Sequence, residues 1–162
     1  MAFGLSTDDA LTALRAAIGA SVTVGTTTLT WTQKVEGPPL RWLPDAASYP
    51  LIILQPQDTE NADAASLLQL DLPVEVYVVV KAASAGASGL AASAYKTIRL
   101  VGEKVVAAVM DAGPRLGTNW LERRFVSGGV DYDLSEALND HGLLVYKAVF
   151  NLRYYEREVA AT

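Results

Sequence analysis

The chain has no cysteine and only one histidine in 162 residues. The first absence excludes a disulfide framework and any thiolate metal site. The second leaves His141 without a partner histidine or cysteine for a metal set or a catalytic triad. Basic residues are also scarce: 13 Lys and Arg against 18 Asp and Glu, a net charge of −5. Bulk nucleic-acid binding needs the opposite balance, because phosphates must be neutralised. No uninterrupted apolar run reaches the roughly 18 residues of a membrane span. Met1-Ala2-Phe3-Gly4-Leu5 lacks a basic start and a long apolar run, so no signal peptide is expected there.

What is present is a chain of single-domain size, 51% hydrophobic and 19% charged, enough to bury one core. We expect a single domain over residues 1–162. Its organising stretch is residues 71–113. Val74, Val76, Val78 and Val80 alternate as in a strand. A small-residue link follows, then a helix over residues 88–111. Ala91, Ala94, Ile98, Val101, Val105 and Val109 share one face of that helix. Lys96, Arg99, Glu103 and Lys104 fall on the other, with Arg99 and Glu103 spaced to pair. Gly113-Pro114 supplies the stop.

Upstream, Ser6-Thr7-Asp8-Asp9 has the form of a capping box for a helix over residues 7–18 that buries Ala10, Leu11, Leu14 and Ile18. A hairpin is expected around Gly25, with Thr26, Thr28, Thr30 and Thr32 facing one way and Leu29 and Trp31 the other. Residues 34–50 read as loop, because Pro38, Pro39, Pro44 and Pro50 oppose regular elements. Leu51 to Gln55 is a short apolar strand closed by Pro56. Residues 56–71 then form a long acidic excursion, read as a loop between paired strands, with Asp58, Glu60 and Asp63 and a small apolar patch at Leu67-Leu68. Downstream, residues 119–126 are a strand, Ser127-Gly128-Gly129 a turn, residues 130–138 ambiguous, and Asn139 to Gly142 a second turn. The last strand, residues 143–156, puts Leu144, Tyr146, Ala148, Phe150, Leu152 and Tyr154 on one face. The order gives an α+β fold. It has a mainly antiparallel sheet of about four to five strands, one long helix on one face and a short N-terminal helix.

Candidate chemical motifs fail on inspection. Asp131-x-Asp133-x-Ser135 opens like a calcium loop, but Glu136 stands where Gly is needed and Gly142 where Glu is needed, leaving an acidic surface hairpin. Ser93-Ala94-Tyr95-Lys96 spells S-x-x-K without the companion motifs of serine acylation. Gly86-Ala87-Ser88-Gly89 lacks the Gly-Lys-Ser/Thr ending of a phosphate loop. Arg123-Arg124 beside Trp120 is too small for a nucleic-acid patch. The expectation is a protein without enzyme activity, cofactor or metal. Tyr77 and Val79, with Val145 and Val149, add apolar groups to the second face of the two main strands. The short first helix is available for part of that face, and the remainder would need another chain or stay as an interface patch.

The capped first helix, the Pro-rich stretch ending Tyr49-Pro50-Leu51-Ile52-Ile53-Leu54, the strand over 74–81, the long helix and the aromatic final strand Tyr146 to Tyr155 together resemble the tail terminator (tail completion) proteins of long-tailed bacteriophages and their minor tail and neck relatives. The resemblance implies a virion component at the head–tail junction, assembled in the host cytoplasm. It implies a homo-oligomeric ring, usually a hexamer, that caps the tail tube protein and meets a head-completion or stopper protein. DNA would pass through its lumen without specific binding. On that reading Asp58, Glu60 and Asp63 either face the lumen and repel phosphates, or face the tube with Leu67-Leu68 as the docking patch. The alternatives are a head-completion or neck protein of the same virion and, from another class, a small α+β ligand-binding or enzyme domain.

Overall fold

The computed structural model describes residues 6–45, 48–63, 66–82, 92–112 and 121–155. The first helix, α1 (Thr7–Ile18), starts as its sequence requires. Ser6 Oγ accepts from the Asp9 backbone N–H at 3.1 Å, and the Asp9 carboxylate accepts from the Ser6 N–H at 3.0 Å. Gly19 closes it at φ 81°. The hairpin β1 (Ser21–Val24) and β2 (Thr27–Thr30) turns at Gly25, φ 62°, and buries Val22 and Leu29.

Six further strands make the main sheet. They are β3 (Gln33–Glu36), β4 (Leu51–Pro56), β5 (Glu60–Asp63), β6 (Ser66–Lys81), β7 (Leu121–Val130) and β8 (Leu143–Tyr155). The order is β3-β4-β6-β8-β7, with β5 also on β6. Among the described strands only the β3–β4 pair is parallel. The fold is therefore α+β with a mainly antiparallel sheet.

The long helix α3 (Ala92–Met110) lies on one face of this sheet. Ala94, Ile98, Val101, Val105 and Val109 are all fully buried there, while Lys96, Arg99, Glu103 and Lys104 are exposed. They pack with Val74, Val76, Val78 and Val80 and with the Leu144-to-Tyr154 row of β8. Ala91, Gly113 and Pro114 lie outside the described residues. The C-terminus of α3 carries a cap from elsewhere: Arg123 on β7 donates Nε to Val109 O at 2.7 Å and Nη2 to Met110 O at 2.6 Å. A cation on the last carbonyls also suits the helix dipole.

Several expectations change. Residues 34–50 are not all loop: β3 pairs alongside β4, and α2 (Pro39–Trp42) is a short helix. Pro39 sits in its first turn, where the missing N–H costs nothing. The acidic excursion is a hairpin rather than a loop. Strand β6 runs unbroken back to Ser66, and β5 pairs with it from Glu60↔Asp71 to Asp63↔Ser66. Ser127-Gly128-Gly129 is strand, not turn, with a bulge between Phe125 and Ser127. Residues 132–137 form α4 (Tyr132–Ala137), and Asp131 is its N-cap rather than part of an acidic hairpin, accepting from Leu134 N at 3.0 Å.

The apolar part of the second sheet face is covered by this chain itself, and not by α1. The first helix shares the α3 side, where Leu11 and Leu14 join the main core. The second face is covered at one end by Trp42, Leu43, Tyr49 and α4. Leu43, Leu138, Leu143, Leu51 and Ile53 enclose Tyr77, Val79 and Val145 there, with Trp42, Tyr49 and Leu134 packed around them. Ser135 is fully buried in this layer, and its Oγ accepts from Val145 N at 3.0 Å, holding α4 to β8.

One helix position has a specific steric role. Gly102 is buried at the α3–β8 contact, and a Cβ there would fall within the ring of Tyr146. A Cβ at Gly128 would lie 2.5 Å from the same tyrosine's hydroxyl. Helix propensity alone would make Gly102→Ala stabilising by about 1 kcal/mol. The expected result is the reverse, a loss of about 1–3 kcal/mol from overpacking. Ile98→Ala should lose about 2–5 kcal/mol, and Lys96→Ala should be near neutral. Chemical denaturation checks all three; a stabilised Gly102→Ala protein would show that helix and sheet are not in this contact.

Candidate functional site

The uncovered half of the second sheet face is the strongest candidate for function. Its residues alternate with the core row, so their direction is set by strand periodicity. Strand β6 contributes Asp71 and Glu75, β8 contributes Lys147, Val149, Asn151 and Arg153, and β7 contributes Glu122, Arg124 and Ser127. The cross-strand pairs Asp71↔Arg153, Glu75↔Val149, Glu122↔Arg153, Arg124↔Asn151 and Ser127↔Val149 bring them together.

Two charge clusters result. In the first, Tyr77 donates its hydroxyl to Glu75 Oε2 at 2.6 Å, and Lys147 Nζ lies 3.1 Å from Glu75 Oε1. The same ammonium stands 5.8 Å from the centre of the Tyr77 ring. Burial raises the Tyr77 hydroxyl's pKa, reinforced by its bond to the Glu75 carboxylate, so it remains a donor. In the second, Arg153 holds Asp71 by two bonds, Nε to Oδ1 at 2.8 Å and Nη2 to Oδ2 at 3.1 Å. This fork lowers the Asp71 pKa; partial burial opposes it, and the charges of Arg153 and Arg124 add to the lowering. Asn151 Oδ1, in the same groove, is buried without a partner in the structure. The groove of Asp71, Glu122, Arg123, Arg124, Asn151 and Arg153 encloses about 180 Å³.

A wider hollow of about 540 Å³ lies beside it, lined by residues 127–133, Lys147 and Val149. Two of its charged groups are already committed. Asp131 caps α4 and Lys147 is held by Glu75. Each is turned to its own partner, unlike the convergent groups of a ligand pocket.

The residues singled out from sequence are dispersed. Tyr77, Val79 and Val145 are buried in the second core and offer no surface to a partner. Their face is apolar because this chain's own residues cover it. Val149 is half-buried and lines the hollow. Asp58 and Glu60 are exposed; Asp63 belongs to β5, and Leu67 and Leu68 to the start of β6. His141 is exposed in the 3₁₀ turn Asn139–His141. No group of three or more His, Asp or Glu able to hold a metal occurs among the described residues. No described helix is long and apolar enough to cross a membrane. The sequence reading missed the charged half-face, whose only local signal is polar residues at alternate positions of β8. No family model matches the chain, and a search of curated proteins finds no match.

The folded Asp71 carboxyl titrates below its ordinary 3.8. Its stabilising contribution is therefore present above that value and is lost as pH falls through the folded pKa. Arg153→Gln should bring the Asp71 pKa, followed by NMR, up toward the ordinary value and weaken the protein's advantage at neutral over acid pH. Titration of wild-type Asp71 at or above 3.8 would contradict the fork.

Proposed function

We propose that this chain is a structural virion protein that forms a homo-oligomeric ring, a hexamer, capping a phage tail tube and joining it to the head connector. The observation that carries the reading is a sheet with a charged half-face and, among the described strands, an open edge on each side. Strand β7 bounds it on one side and β3 with β5 on the other. Open edges invite uncontrolled pairing, and a closed ring removes them. The element order that resembles tail terminators supports the same reading. DNA crosses the lumen of such a ring without specific contacts, in keeping with a net charge of −5. The partners are other copies of the chain, the tube protein below and a head-completion protein above.

Native mass spectrometry of the purified protein, alone and with tube protein, tests this. The expected species is six times the 17.3 kDa chain. A protein that stays monomeric even with tube protein at high concentration would sink the ring.

A further inference from the structure

Each sheet edge has a stretch of strand whose outer backbone groups pair with no strand among the described residues. On β7 the bulge between Phe125 and Ser127 interrupts the edge, leaving Leu121 to Phe125 regular. On the other side β5 offers Glu60 to Asp63, where the ladder with β6 shifts register between Asn61 and Asp63. The two stretches are of similar length. Their charges differ: residues 56–71 contain four acids and no Lys or Arg, whereas β7 carries Arg123 and Arg124. Arg123 is occupied at the end of α3, and Arg124 is exposed on the charged half-face.

Direction and register follow from the ladder. Three antiparallel steps separate β5 from β7, so they run oppositely within one subunit. Rotation about an axis along the strands preserves strand direction, so one copy's β7 would meet the next copy's β5 antiparallel. Glu60, Asp71, Arg153 and Glu122 stand in one row across the sheet. An unshifted junction would set Glu60 against Glu122 of the next copy, a repulsive pair. A shift of two residues keeps Glu60 on its own face and sets it against Arg124. Closing a sheet on itself requires such a stagger.

We infer that the ring closes by antiparallel pairing of β7, from Leu121 to Phe125, with β5 of the neighbouring subunit, Arg124 facing Glu60 across the junction. This rests on the ring reading above and gives Glu60 a place in the subunit interface, apart from both lumen and tube.

The absence of native cysteine makes the test direct. The double variant Glu60→Cys with Arg124→Cys, mildly oxidised, should give a ladder of disulfide-linked subunits up to the full ring. Neither single variant should cross-link. Charge variants supply an independent reading: Arg124→Glu and Glu60→Arg should each weaken assembly at least tenfold, and the two together should restore it. A wild-type ring whose double-cysteine variant forms no ladder, or whose charge variants assemble normally, overturns the junction and leaves the ring standing. Dimers from Arg124→Cys alone overturn it in favour of β7 pairing with β7. A monomeric wild type overturns the ring itself, and charges that merely guard a monomer's edge would give that outcome.

Discussion

The β6–β8 ladder is the constraint on which the other elements depend. All 13 residues of β8 pair with β6 without a register shift, from Leu143↔Lys81 to Tyr155↔Gln69. A slip of one residue would send the Val74-to-Val80 row and the Phe150 row to the opposite face. The α3 side is apolar along the whole ladder. The other side changes character near the Tyr77↔Lys147 pair. On one side of that pair lie Val79, Val145 and Leu143, covered by α4, Trp42, Leu43 and Tyr49. On the other lie Glu75, Asp71 and Arg153, left uncovered. One sheet thus carries a second core and a charged surface on the same face.

Tyr146 sets the spacing between layers. Its ring fills the space that a side chain at Gly102 would need, and its hydroxyl reaches Gly128. Burial raises the hydroxyl's pKa, with the Glu103 charge adding to it. The two glycines let α3 and β7 approach a bulky aromatic from different sides. Arg123 then links β7 to the end of α3, so sheet, edge strand and helix are joined around one corner. Near the other end of that helix, Tyr132 of α4 meets Tyr95 with ring centres 5.3 Å apart.

Where local pattern and tertiary demand agree, the elements are legible from sequence. The Ser6–Asp9 cap, the Ile98 face of α3 and the alternation of β8 are such cases. The misreadings have one cause, pairing supplied from a distance. Strand β3 has little β-forming pattern of its own and exists because β4 lies beside it. Gly128 and Gly129 look like a turn until the β8 partner and the tyrosine beneath them are known. Residues 60–63 and 66–71 look like acidic loop because their pairing depends on β6 being long. The candidate surface was the least legible part. Asp71 and Arg153 are 82 positions apart, and only the ladder brings them to 2.8 Å. The apolar second face was visible, but what covers it was not, because prolines concealed α2 and Asp131 concealed the cap of α4.

A sheet with charged and open margins makes most physical sense with its margins paired, and a ring on a tube does this while leaving a lumen. The most direct measurement is cryo-electron microscopy of cognate tail tubes incubated with the purified protein. The expected image is a sixfold ring, seated coaxially on one tube end only, with the sheet continuous between neighbouring subunits. Bare tube ends, or protein scattered along tube walls, would contradict the tail-capping role.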